Sequence, residues 1–400
     1  MPPKKNKLIN NLDKISDYKA YIKQQNKIRF TRMLKEVERE FNENYNNPFV
    51  TGLNYNNTNS TSSNSNSNCI ITSQTCIKKE FITINDNITN LDDLINLINK
   101  YKIADNIEYN IDMKNLSKIK PYLLKLNSMI GMNNLKTNII DQLLYYIQKL
   151  HDFNQEGDFM HTVLYGPPGT GKTEVAKIIG KIFCQIGILK KNIFRKVTRS
   201  DLIAGYLGQT ALKTRDVINE CLGGVLFIDE AYALGNSEKR DSFSKECIDT
   251  LCEGLSNHKN NLMVIIAGYK DELNDCFFSF NPGLESRFVW RFKIDEYNAE
   301  QLMLIFLKKV NDAGWYIAEN SNITVDWFET KMKYFEYYGR SMDNLFTKTK
   351  IAHSKRIFCI DNKYKKKIIL KDLEKAFEMY KLSQNIQDNK DDNIHTLMYL

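Results

Sequence analysis

Residues 161–184 read HTVLYGPPGTGKTEVAKIIGKIFC. The central octet, Gly166-Pro167-Pro168-Gly169-Thr170-Gly171-Lys172-Thr173, is a complete phosphate-binding loop. Its glycines let successive N–H groups turn toward the β- and γ-phosphates of a nucleotide, Lys172 adds a mobile positive charge, and Thr173 supplies a hydroxyl to Mg2+. The apolar run before the loop predicts a short buried strand. After it, Val175, Ile178, Ile179, Ile182 and Phe183 fall at helical spacing in a helix that opens with Glu174, counted here with the nucleotide-binding segment. A loop between strand and helix sets the phosphates at a helix N-terminus, as anion binding there requires. Those flanks give the octet its weight, because so short a pattern also arises by chance.

Residues 223–231 read GGVLFIDEA. Four apolar residues, Val225 through Ile228, predict a central parallel strand whose C-terminal end faces the phosphate loop. Asp229 is then placed to hold the shell of a magnesium ion and Glu230 to polarise the attacking water. An acidic pair alone more often decorates a surface; the buried strand ahead of it makes the difference. Loop and strand together predict ATP and Mg2+ as cofactors, with hydrolysis as the reaction.

The chain has 400 residues, 42% of them hydrophobic, enough for about two or three folded units with a sizeable core. No run approaches the roughly eighteen apolar residues of a membrane span, and MPPKKNK at the N-terminus lacks the apolar core of a secretion signal. A soluble, intracellular protein is expected, with no membrane partner. The 8 cysteines form no CxxC pair, which fits reduced thiols better than a disulfide frame or a zinc site. Asn-x-Thr triplets such as 87–89 are then coincidental. The net charge of +8 is modest for this length and permits acidic partners without demanding them.

Composition divides the chain. Residues 1–48 carry apolar positions at helical spacing and predict a basic amphipathic helical segment, its polar side bearing Lys14, Lys19, Lys23, Lys27, Arg29 and Arg32. That side is either a solvated helix face or a binding surface for nucleic acid or an acidic partner. Residues 49–76 contain NYNNTNSTSSNSNSN and read as a disordered Asn/Ser-rich linker. Residues 77–128 predict a small helical preface, with a helix at 91–101. From 129 to 298, strands near 193–197, 225–228, 262–267 and 290–294 alternate with helices near 135–150 and 244–255, the pattern of an α/β parallel sheet wrapped by helices. Residues 299–385 read as a helical lid and 386–400 as a flexible tail.

The stretches RSDLIAGYLGQTALKT (199–214), GGVLFIDEAYAL (223–234), VIIAGY (264–269) and NPGLESRF (281–288) closely resemble one branch of the AAA+ ATPases. It is the branch containing the red-type Rubisco activases and the stage V sporulation protein K group. The likeness runs from about 129 to 344 and leaves the first 120 residues outside it. It implies a P-loop AAA+ fold with a helical lid, and a homo-hexameric ring with each ATP at a subunit boundary. Arg287 matches the family's arginine finger, which reaches the γ-phosphate bound by the neighbour; otherwise it caps the preceding helix or pairs with Glu285. Arg340 matches the lid arginine that senses nucleotide, and Ile130 and Gly131 match the segment covering the adenine. Tyr206, Leu207 and Gly208 match the loop that lines the central pore, where a tyrosine between Gly205 and Gly208 grips a polypeptide; without the likeness Tyr206 reads as a half-buried surface anchor. Two positions depart from wider AAA+ habit. Gly268 and Tyr269 stand where Asn or Thr commonly positions the water, although the branch itself reads AGY, and Asp343 stands where the branch more often has a second lid arginine.

The expected function is a ring-forming, protein-remodelling ATPase motor that threads or tugs a protein substrate, chaperone-like in action. Two alternatives stay open: an ATP-dependent assembly switch or scaffold, and a nucleic-acid-stimulated AAA+ ATPase, whose activity depends steeply on salt. The wealth of Asn, Lys and Ile suggests an AT-rich genome, such as that of a large DNA virus or a protist, and hence a cytoplasmic, host-cytoplasmic or virion location.

Overall fold

The computed structural model describes residues 80–397 except 154–156, 207, 236–240, 320 and 361–363, with backbone alone from 385 onward. The expected basic helices and linker at 1–76, and Leu207, lie outside the described residues, which all fall in one compact unit, Lys78–Leu400.

The chain enters through β1 (Glu80–Ile82), α1 (Leu91–Lys100), β2 (Ile107–Tyr109) and α2 (Met113–Asn127), with β1 and β2 paired in parallel. These two short strands are a feature that the expectation of a helical preface lacks. Asn90 fixes the start of α1: its side chain accepts from the Asp93 amide while Asp93 accepts from the Asn90 amide, so two otherwise orphaned donors are satisfied together. The buried stripe Leu91, Leu94, Ile95, Ile98 packs with Leu116, Ile119, Leu123 and Leu126 of α2 in the cluster that also holds the sheet's own core. The preface is therefore part of the same hydrophobic body as the sheet.

Next come α3 (Asn133–Ile147), β3 (Thr162–Tyr165), α4 (Lys172–Gln185), β4 (Phe194–Val197), α5 (Arg199–Leu202), α6 (Thr210–Glu220), β5 (Val225–Ile228), α7 (Ser242–Asn257), β6 (Met263–Gly268), α8 (Lys270–Cys276), α9 (Gly283–Arg287) and β7 (Trp290–Lys293). The five strands form one parallel sheet in the order β4-β5-β6-β3-β7. Every residue of β5 and β6 is buried, because helices cover both faces of a parallel sheet and leave no polar side. Alternation sorts them. Val225, Phe227 and Ile265 pack with Ile178, Ile179 and Ile182 of α4, whereas Leu226, Ile228, Val264 and Ile266 pack with Val217 of α6 and Ile248, Leu251 and Leu255 of α7. Parallel strands share one C-terminal edge, and that edge receives the phosphate loop from β3 and the acidic pair from β5.

The chain ends in α10 (Ala299–Asp312), β8 (Tyr316–Ile317), α11 (Val325–Glu329), α12 (Tyr338–Ile357), β9 (Lys367–Ile368) and α13 (Leu370–Leu397), with β8 and β9 paired in parallel. Phe306, Phe328, Phe335, Phe346 and Phe377 fill this lid. The carboxylate of Asp372 on α13, 1% exposed, takes hydrogen bonds from Arg356 at 2.7 and 2.9 Å and lies 3.1 Å from His353 Nδ1 on α12. Helix α13 runs on to Leu397, through residues expected to form a flexible tail. The sequence there lacks apolar spacing, but a helix already nucleated by packing propagates at little cost.

Candidate functional site

The phosphate loop leaves β3 at Gly166 and enters α4 at Lys172. Gly169 and Gly171 take φ of 73° and 94°, backbone open to glycine without strain. Lys172 folds over the loop, donating to the carbonyls of Gly166 and Pro167 at 2.8 Å each, while the Thr170 hydroxyl donates to Pro167 at 2.7 Å. Burial pushes the Lys172 ammonium down; Asp229 and Glu230 pull it back up, and Arg340 pushes it further down. So these four charges share one electrostatic site. Thr173 is half-buried in the first turn of α4, where amides lack partners within the helix and are open to an anion. The Glu174 side chain turns the other way, to Lys177 at 2.9 Å and Lys125 of α2 at 3.4 Å, and so leaves the loop.

At the end of β5 the Asp229 amide still donates to Val197 at 3.1 Å, extending the ladder one residue beyond the strand. The next residue breaks it: Glu230 takes φ of 53°, a left-handed conformation that is uncommon away from glycine, and its side chain is exposed. Such an outlier costs about 1–3 kcal/mol and clusters at functional sites without being confined to them, since Lys149 and Lys366 share it. Here it turns the acid out of the sheet. Asp229 stays lower, 22% exposed, and pairs with Lys196 of β4 at 2.6 Å.

A hydroxyl and a carboxylate, Thr173 and Asp229, suit a hard cation that keeps most of its waters and borrows phosphate oxygens. Among the described residues no three His, Cys, Asp or Glu gather into an all-protein cage.

The loop is held from two sides, by Tyr297 just ahead of the lid and by Gly339 within it. The Tyr297 hydroxyl donates to the Thr170 carbonyl at 3.0 Å, and the Gly339 amide donates to the Gly169 carbonyl at 3.1 Å. The approach is close enough that a Cβ on Gly339 stands 2.7 Å from that carbonyl oxygen, and one on Gly169 stands 2.0 Å from Tyr337 O. Arg340 follows directly and is exposed toward Lys172 and Tyr269. The Tyr269 ring centroid lies 5.8 Å from Lys172 Nζ. Asp343, one turn along α12, pairs with Lys309 of α10 at 2.5 Å on the surface of the lid. Ile130 and Gly131 are half-buried beside the loop: Met129 and Met132, on either side of them, bring their methyls within 3.2 and 3.4 Å of a Cβ position on Gly171.

Two groups lie away from this site. Arg287 precedes β7, whose first residue pairs with Thr162 at the start of β3, so it stands at the N-terminal edge of the sheet, opposite the loop. There Arg287 donates to Ser256 Oγ at 2.7 Å and, as a cap, to the Gly283 carbonyl at 2.5 Å; Glu285 pairs with Arg291 instead. Tyr206 is 74% exposed between α5 and α6, and added Cβ atoms on Gly205 and Gly208 meet nothing within 4 Å, so the tyrosine is not anchored in the surface.

Several participants escaped the sequence. Arg199 ties the root of the Tyr206 loop to the acidic strand's exit, donating to the Ala233 and Leu234 carbonyls, to Ser244 and to Asp241. Burial pushes the Asp241 carboxyl up, but hydrogen bonds from Ser244 and Arg199 bring it to about 2. Lys196, Tyr297 and Tyr337 are likewise partners across long sequence separations. No local signal marks them.

Residues 162–295 match the ATPase family associated with various cellular activities, AAA. A cfxQ-like protein of Acanthamoeba polyphaga mimivirus is 41% identical over 315 residues, 78% of this chain and 76% of the relative. Stage V sporulation protein K of Bacillus subtilis is 34% identical, over 59% of this chain and 76% of the relative. The chloroplast ribulose bisphosphate carboxylase/oxygenase activase of Cyanidioschyzon merolae is 32% identical, over 59% of this chain and 82% of the relative. With the loop, acidic strand, parallel sheet and lid in place, the chain belongs to the AAA ATPases, in the branch shared by CfxQ-like proteins, that activase and stage V sporulation protein K.

Proposed function

We propose that this protein is a magnesium-dependent ATPase that works as a hexameric ring and uses hydrolysis to remodel a protein substrate. One observation carries the reading: Lys172, Asp229, Glu230 and Arg340 gather at one sheet edge, while Arg287 stands at the other. A site so divided is completed by a second copy.

In the proposed cycle the loop amides and Lys172 hold the β- and γ-phosphates, which Lys172 reaches by giving up the Gly166 and Pro167 carbonyls. Thr173 and Asp229 hold magnesium, which when bound neutralises phosphate charge. Glu230, turned out of the sheet, accepts the proton of the attacking water. Arg287 of one subunit leaves Ser256 and Gly283 to meet charge developing on the neighbour's phosphate. The two hydrogen bonds it gives up come from a charged group and are worth about 1.5–3 kcal/mol each, which the roughly 4–7 kcal/mol behind the 10³–10⁵ in rate that such a finger supplies elsewhere has to offset. Gly339 in the lid and Tyr297 just ahead of its first helix make the lid sensitive to the loop's shape, so loop changes move the lid. The exposed Tyr206 supports a gripping role in the ring's pore. No membrane role is proposed; among the described residues no helix is long and apolar enough to cross a bilayer.

The test is light scattering after size-exclusion chromatography on Glu230→Gln with and without Mg-ATP. Blocked hydrolysis traps the assembled form, and a shift from small species to a ring is expected. A monomer that keeps its ATP sinks the ring and favours a switch.

A further inference from the structure

Lys196 is tied to a site that it was not expected to touch. It sits on the edge strand β4 in register with Phe227 of β5, so alternation places it on the same sheet face as Asp229, one diagonal step along. Its ammonium lies 2.6 Å from Asp229 Oδ2. Beside the pair is a cavity of about 580 Å³, lined by Lys196, Thr198, Arg199, Asp229, Glu230 and Ala233 among others and by no residue of the phosphate loop. It gives the lysine room to swing clear.

We propose that Lys196 is a resident counter-ion for Asp229 that magnesium must displace, and so sets the magnesium level at which the nucleotide site is armed. The inference rests on the reading of Asp229 as a magnesium-side acid. A bare carboxylate at that edge repels incoming phosphates. The lysine removes the repulsion while the metal is absent, then competes with the metal when it arrives. Two opposite consequences follow. Removing the ammonium weakens magnesium-free ATP binding, because phosphate then faces an uncompensated Asp229, and strengthens the magnesium-dependent part, because nothing is left to displace. With Lys196 48% and Asp229 22% exposed, water screens the pair, and each effect is a few-fold rather than orders of magnitude. Lys196 is a positioning residue here, acting only through Asp229.

The test measures binding of the fluorescent analogue N-methylanthraniloyl-ATP to the full chain, in excess Mg2+ and in EDTA. All proteins carry Glu230→Gln so that turnover does not consume the probe. For Lys196→Met, and for Lys196→Gln as a second neutral variant, the ratio of affinity with magnesium to affinity without it rises by about threefold or more. Lys196→Arg, which keeps the charge, stays near the parent ratio. An unchanged or smaller ratio in both neutral variants overturns the proposal, since a merely structural lysine, or one that touches phosphate, lowers both affinities together. Absence of binding by the parent protein in either condition overturns the ATPase reading itself, and the counter-ion with it.

Discussion

His161, directly before β3, shows how one side chain fixes the base of the site. The backbone N–H of Val264 donates to its Nδ1 at 3.1 Å, which leaves Nε2 as the donor to the Leu255 carbonyl at 3.2 Å. The ring must therefore be neutral, because a proton on Nδ1 removes the only acceptor for a buried amide of β6. Burial drives its pKa down to about 4; the Leu255 carbonyl pulls up against that, and Arg287 pushes further down. The folded value lies below the ordinary 6.5, so the unfolded chain binds the proton more readily. Stability is therefore full above about pH 6.5 and is lost as pH falls toward 4, by about 2 kcal/mol between pH 7.5 and 5. Urea unfolding across that range measures it. His161→Asn starts less stable but shows a shallower pH slope; equal slopes in the two proteins remove this histidine from the acid response. The sequence offers no hint of it, since His161 reads only as the first residue of an apolar run.

Among the elements, the legible ones carry their own period. β3, α4 and β5 can be read because apolar spacing, glycine turns and strand length all lie within one short window. The five sheet strands and helices α1, α3, α4 and α7 stand within a few residues of where that spacing places them. What stays hidden is pairing between distant segments: β1 with β2, β8 with β9, Lys196 with Asp229, Gly339 with Gly169. The preface is the sharpest case. Its helices read as a separate unit, yet Ile119, Leu123 and Leu126 of α2 are 0% exposed within the main core. Leu123→Ala should cost about 2–5 kcal/mol, the usual penalty for a fully buried leucine. All 3 tryptophans, Trp290, Trp315 and Trp327, lie in the sheet or the lid and none in the preface. Their fluorescence in urea should nevertheless register the whole loss. A tryptophan transition that ignores Leu123→Ala means the preface folds on its own.

For the whole molecule, the decisive question is whether Arg287 and Glu230 serve one active site from two chains. They occupy opposite edges of the same parallel sheet, and four strand residues from Thr162 to Tyr165 already span about 10 Å or more before either side chain is counted. No rotamer of Arg287 brings it to its own phosphate loop. If it acts on ATP, it acts on a neighbour's, and that makes two inactive variants complementary. Glu230→Gln keeps its finger but has a dead site; Arg287→Ala keeps its site but has no finger to offer. Each alone should lose at least about 10²-fold in turnover. Mixed equally and allowed to assemble, roughly a quarter of the boundaries join an intact site to an intact finger by random assortment in a closed ring. ATPase activity should therefore recover to about that fraction, peak near equal proportions and vanish toward either pure variant. A flat, inactive profile at every ratio would leave Arg287 as the cap of α9 and the brace of Ser256, and would return the chain to the switch that works without shared sites.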